Sequence, residues 1–172
     1  NLTNIIFTNP ETVIEDFAFT NCSTIRSVTF VEGMTIKNHA FNFAKGLEEV
    51  INLDKIKNLG QYSFANSGLT YVVLGDDTNI EEGAFYGSSL INVTLGKNSV
   101  VGFGAFQKCE KLVTVNMPEE GNVQINQSAF ANDTLLKNID LSKTTDTLGN
   151  EAFYGCLSLQ TANLTNVKYI GD

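Results

Sequence analysis

Apolar runs in this 172-residue chain are only a few residues long. A helix that crosses a bilayer needs about 20, so no such helix is expected. A single His and three Cys are too few for most multi-residue metal sites, and an odd number of cysteines does not make a disulfide framework. Positive charge is scarce as well. Eleven Lys and Arg face nineteen Asp and Glu, which leaves a formal charge of −8. A field of that sign repels phosphate backbones and anionic lipid surfaces, so nucleic-acid and membrane binding are not expected. What the chain does have is 42% hydrophobic residues in a length that suits one domain, enough to bury a core.

Those hydrophobic residues recur with a period. A small residue followed by Phe stands at Ala18-Phe19, Ala40-Phe41, Ser63-Phe64, Ala84-Phe85, Ala105-Phe106, Ala129-Phe130 and Ala152-Phe153, at steps of 21 to 24 residues. Five residues before each Phe is an aliphatic side chain: Ile14, Ile36, Leu59, Ile80, Val101, Ile125 and Leu148. After each Phe comes a block of the form L-x-x-V-x-L, as in Leu69-Val72-Leu74, Leu90-Val93-Leu95 and Leu136-Ile139-Leu141. A fixed period of this length marks a solenoid whose repeats bury one another. One copy departs, because Leu47-Val50 is followed by Leu53 one place late, and a bulge or shifted strand is expected there.

The V-x-L half of the block alternates with period two, so its apolar residues share one face of a short strand. Eight such strands are expected near residues 4–7, 27–30, 49–53, 71–74, 92–95, 114–117, 138–141 and 161–164. Stacked at about 4.8 Å per repeat, they form one parallel sheet. The Ala-Phe segment returns along the other side as a tight helical or 3₁₀ turn, too short for a long helix. All seven repeat Phe residues are expected in one buried stack.

The motifs I-x-x-x-A-F in Ile80-Glu81-Glu82-Gly83-Ala84-Phe85 and A-F-x-x-C-x-x-L in Ala105-Phe106-Gln107-Lys108-Cys109-Glu110-Lys111-Leu112 resemble the BspA-like leucine-rich repeat family, and the likeness runs through the whole chain. The resemblance implies a right-handed leucine-rich repeat solenoid with a concave sheet, of the kind found in extracellular and cell-surface proteins that act in adhesion and protein binding. It brings no catalytic residue, no cofactor and no metal. The domain expected is 1–172, about seven repeats cut within a repeat at both ends. Ile170 stands where the aliphatic residue precedes a Phe at position 175, so a longer parent chain is expected, and the uncapped ends offer a route to self-association.

Other chemistry is weak. Cys22, Cys109 and Cys156 each lie three residues after a repeat Phe. Four repeats separate the first two, near 19 Å at about 4.8 Å each, and two repeats separate the others, whereas a disulfide needs Cα atoms within about 7 Å. Free, mostly buried thiols are expected, and a nucleophilic pairing with His39 lacks a third orienting group. The stretch from Asp76 to Gly83 resembles a calcium loop poorly, since Ile80 belongs to the core and the Gly falls late. Six N-x-S/T sequons begin at Asn1, Asn21, Asn92, Asn126, Asn132 and Asn163, which the abundance of Asn, Ser and Thr accounts for.

The outward side of the strands is therefore the candidate site. Beyond Asn92 its residues are small and polar, whereas Ile51, Tyr71 and Val73, edged by Glu49, fall on neighbouring strands in the open. The function expected is noncatalytic protein binding or adhesion at a cell surface or outside the cell, with a host or matrix surface protein as partner through Glu49, Ile51, Tyr71 and Val73. A structural spacer that projects another domain is the alternative.

Overall fold

A computed structural model of the chain describes residues 2–142 and 147–172. Eight three-residue strands carry the V-x-L blocks: β1 (Asn4–Ile6), β3 (Ser27–Thr29), β5 (Glu49–Ile51), β7 (Tyr71–Val73), β9 (Asn92–Thr94), β11 (Thr114–Asn116), β13 (Asn138–Asp140) and β15 (Thr161–Asn163). Every pairing is parallel and joins equivalent residues of successive repeats, such as Tyr71 with Asn92 and Val72 with Val93. The expected strands are all present, and the fold is the leucine-rich repeat solenoid.

The sheet itself differs from the expectation. The eight strands form two ladders, β1-β3-β5 and β7-β9-β11-β13-β15, with no hydrogen-bonded pairing between β5 and β7. The cause is the residue inserted before Leu53. Asn52 takes a left-handed conformation, φ 63°, and Leu53–Lys55 follow as a 3₁₀ turn. That turn returns Leu53 to the core, where it is 2% exposed. The Asn52 side chain donates to the Phe30 carbonyl at 3.1 Å. A Cβ at Gly75 in the next repeat would stand 2.0 Å from the Asp54 carbonyl oxygen, so only glycine lets the 3₁₀ turn lie against the following loop.

The repeat forms a second ladder around each aliphatic residue that precedes Phe. Two-residue strands β2 (Val13–Ile14), β4 (Thr35–Ile36), β6 (Asn58–Leu59), β8 (Asn79–Ile80), β10 (Val100–Val101), β12 (Gln124–Ile125), β14 (Thr147–Leu148) and β16 (Tyr169–Ile170) pair in one unbroken sheet. The turns carrying Phe are bonded across repeats as well. Phe41 N–H donates to the Ser63 carbonyl at 2.7 Å and Phe64 N–H to that of Ala84 at 2.7 Å, while Ala44 N–H closes a local turn on the Phe41 carbonyl.

The core fills the space between the ladders. The repeat phenylalanines stack in one column from Phe19 to Phe153, with successive centroids 5.1 to 5.6 Å apart. Phe41, Phe64, Phe85, Phe106 and Phe130 are wholly buried. Phe19 and Phe153 are only half-buried, in contrast to the expectation, because each stands in a terminal repeat with a stacking neighbour on one side.

Candidate functional site

Alternation along a strand turns its first and third residues outward. In β5 these are Glu49 and Ile51, in β7 Tyr71 and Val73, and all four are exposed. Ile51 is 40%, Tyr71 50% and Val73 49% exposed. They lie on consecutive strands as expected, but flanking the gap between the two ladders and not within one sheet. Val50, which should be as buried as the other central valines, is half-buried, while Val28, Val72 and Val93 are closed off.

The break also leaves backbone groups open. Leu74 N–H donates to Thr94 on the β9 side. Parallel strands alternate the direction of their amides, so Tyr71 and Val73 point theirs toward β5, where they find no partner among the described residues.

Electrostatics sharpen the contrast. The sixteen outward positions hold two carboxylates, Glu49 and Asp140, and no Lys or Arg. Glu48 meets Arg26 at 3.7 Å, and Arg26 itself bonds the Ser23 and Gly46 carbonyls. Glu49 has no ion-pair partner among the described residues. Outward side chains bond one another at the N-terminal end, where Ser27 donates to Asn4 at 3.1 Å, and from Asn92 onward, where Asn116 donates to Thr94 at 3.2 Å and Thr161 to Asn138 at 2.5 Å. The apolar outward residues, Ile6, Ile51, Tyr71 and Val73, all precede that stretch.

The turn side holds a row that the sequence pattern does not announce. The position two before each Phe is left-handed in all seven repeats, at Phe17, His39, Tyr62, Gly83, Gly104, Ser128 and Glu151, and so is the position two after it. Phe17 stacks on His39 at 4.7 Å, His39 on Tyr62 at 5.3 Å, and Tyr62 meets Tyr86 edge-on at 6.3 Å. A Cβ on Gly83 would stand 2.4 Å from the Tyr62 ring, so glycine is what lets the row end there.

The buried thiols and one acid share a structural position. Cys109 is buried and its thiol donates to the Phe85 carbonyl at 3.2 Å, and the Cys156 thiol donates to the Phe130 carbonyl at 3.1 Å. Cys22 and Cys156 are half-buried, which corrects the expectation of three mostly buried thiols: both sit in terminal repeats. All three are free. Burial pushes the Cys109 thiol far up and that of Cys156 to about 11, so both stay protonated and inert at neutral pH. Asp133 occupies the same position between them. One of its oxygens accepts the Cys109 N–H at 2.8 Å and the other has no partner among the described residues. Burial pushes its carboxyl up to about 9.

Among the described residues no group of three or more His, Cys, Asp or Glu is placed to hold a metal ion, and no helix is long and apolar enough to cross a membrane. Asp76 and Asp77 are engaged by the next repeat, accepting from Lys97 N–H at 2.8 Å and Asn98 at 3.1 Å.

Comparison with known proteins agrees with this geometry. No curated protein sequence matches the chain. Among solved structures, a leucine-rich repeat protein from Eubacterium ventriosum superposes with a TM-score of 0.71 at 18% identity, over 99% of this chain and 50% of that one. The chain thus spans half the length of that relative. Less similar are a leucine-rich repeat protein from Bacteroides ovatus (TM-score 0.48, 18% identity, 98% of this chain and 74% of that one) and a leucine-rich cell surface protein from Faecalibacterium prausnitzii (0.43, 16%, 99% and 79%). The family model for the BspA type leucine-rich repeat region matches residues 1–113 and 78–172, in six copies. The repeat marker, the two ladders and the phenylalanine column are thus those of a chain that belongs to the BspA-type leucine-rich repeat family.

Proposed function

We propose that the chain is a noncatalytic protein-binding module of a cell-surface or secreted protein, and that it binds through the strand face at the gap between β5 and β7. The observation that carries this reading is the grouping of Ile51, Tyr71 and Val73, each 40% exposed or more, on neighbouring strands of a face whose other outward residues, Ile6 at its N-terminal end apart, are polar. Tyr71 is the anchor, since a tyrosine joins a large apolar area to a hydroxyl and is enriched among binding hot spots. Glu49 beside it is a carboxylate without an ion pair on a face without cations, which suits a partner that presents Lys or Arg next to an aliphatic group, such as a basic patch on a host or matrix surface protein. Placement outside the cell is drawn from the family resemblance.

The test is binding of a panel of host-surface and matrix proteins by the chain and by a Tyr71→Ala, Val73→Ser variant. Tenfold or greater weakening in the variant, with an unchanged melting temperature, supports the reading. A partner held equally by the variant moves the site to another surface. No binding across the panel leaves the spacer role, in which the solenoid projects another domain.

A further inference from the structure

The position two residues after each repeat Phe is left-handed throughout, and it is filled by Asn21, Phe43, Asn66, Gly87, Lys108, Asn132 and Gly155. Asn and Gly are the residues that conformation favours, because Gly has no Cβ and Asn bonds locally to its own backbone. Phe43, at φ 57°, and Lys108, at φ 62°, are departures. A residue that opposes its backbone without a packing gain points to function. Lys108 gains no burial, since its side chain is exposed, and what it meets is the Tyr86 ring.

Its surroundings supply a reason. Lys108 and Lys111 line one depression of about 290 Å³ together with Asn66, Tyr86 and Ser89. Among the described residues, Arg26, Lys37, Lys55 and Lys97 are spent on carboxylates, in the pairs Arg26–Glu48, Lys37–Glu15, Lys55–Asp54 and Lys97–Glu120. Lys108 and Lys111 are in no such pair, although Glu110 also lines the depression. Lys108 Nζ stands 5.3 Å from the centre of the Tyr86 ring, which positions the ammonium at the depression. Two lysines without a salt bridge among the described residues thus line one depression in a molecule of net charge −8.

We infer that this depression, on the turn side and away from the strand face, is a binding site for an anionic sugar unit, a single ring that carries a carboxylate or a sulfate. The two ammonium groups hold the anion. The Tyr86 and Ser89 hydroxyls and the Asn66 amide offer both donors and acceptors, which a ring of hydroxyls satisfies and an apolar ligand does not. The volume lies at the small end of ligand sites, which limits the occupant to about one ring. The carboxylate of an acidic peptide would meet the ammonium groups but leave the neutral hydrogen-bonding groups unmatched.

The site is tested by amide chemical-shift titration of the whole chain with glucuronic acid, galactose 6-sulfate, glucose, inorganic sulfate and triglutamate. Saturable shifts centred on Tyr86, Gly87, Ser89, Lys108 and Lys111 are expected with either acidic sugar, at millimolar affinity, and those of the tighter one identify the anion. They should weaken as salt is raised. A Lys108→Asn, Lys111→Gln variant should bind at least tenfold more weakly while melting no lower than the parent, since Asn suits the left-handed position better than Lys. Equal shifts with glucose, equal binding of inorganic sulfate or triglutamate, no saturable shift with either acidic sugar, or full affinity in the variant would each overturn the assignment. A Tyr71→Ala, Val73→Ser variant keeps this binding, so the outcome is independent of the strand-face reading.

Discussion

Between the third and fourth strand blocks the two sides of the solenoid behave differently. On the strand side an extra residue parts β5 from β7 and opens the sheet. Directly opposite, β4, β6 and β8 continue without interruption, and Phe41 and Phe64 remain stacked at 5.2 Å, only 6° from parallel. The repeat is therefore kept in phase by the aromatic column and the turn-side hydrogen bonds. The strand side is free to vary, and it varies where apolar groups are exposed.

The largest effect should follow from breaking the continuous side. Phe64 stacks on both neighbours and meets Phe30 edge-on at 6.4 Å. Phe64→Ala and Phe85→Ala should each cost about 3–5 kcal/mol in chemical denaturation, because a closed column leaves a cavity that neighbours cannot fill. If the Phe64 variant were as stable as the parent, the phase would have to be held by something else at the break.

Asp133 is the weak point of the same side, and pH exposes it. Its folded carboxyl titrates near 9, above the ordinary 3.8, so between those values the folded chain holds a proton that the unfolded chain releases. This contribution to stability is complete below pH 3.8 and declines as pH rises, by at most about 1.4 kcal/mol per unit, until the folded group ionises. Asp133→Asn removes the dependence while keeping an acceptor for the Cys109 N–H. Melting curves should show the variant gaining on the parent from pH 5 to pH 8, and parallel curves would place an ionised, solvated carboxyl at this position.

Changes on the strand side should be smaller in stability and larger in binding. Tyr71→Ala with Val73→Ser should weaken a bound protein partner at least tenfold, about 1.4 kcal/mol, with little effect on melting. At the break itself, Asn52→Ala should cost about 1 kcal/mol, through loss of the bond to Phe30 and strain at positive φ, and Asn52→Gly should recover part of it. Equal losses in the two variants would show that the backbone conformation contributes nothing.

The same division explains what could be read from the chain. The Phe marker and the L-x-x-V-x-L block placed all eight longer strands and the stacked column, because each position has a periodic apolar requirement. The late Leu53 signalled a bulge, but its consequence, two unpaired strand edges, depends on how far a 3₁₀ turn displaces the backbone. The ladder of two-residue strands was hidden because one inward aliphatic residue per repeat carries no alternation. The left-handed positions were signalled by Asn or Gly after five of the seven Phe residues, and masked before the Phe by Phe17, His39 and Tyr62, which stacking holds in a conformation their own preferences oppose. Asp133 was overlooked because its position is otherwise apolar, hydroxyl or thiol.

Native-state amide hydrogen exchange tests the contrast between the two sides most directly. The Tyr71 and Val73 amides, which face the gap, should exchange rapidly, while their counterparts Asn92 and Thr94 in β9 and the turn-side amides of Phe41 and Phe64 stay protected up to global unfolding. Protection of Tyr71 and Val73 equal to that of Asn92 and Thr94 would mean that β5 and β7 are joined in one sheet, which would contradict a solenoid continuous on its turn side and broken on its strand side.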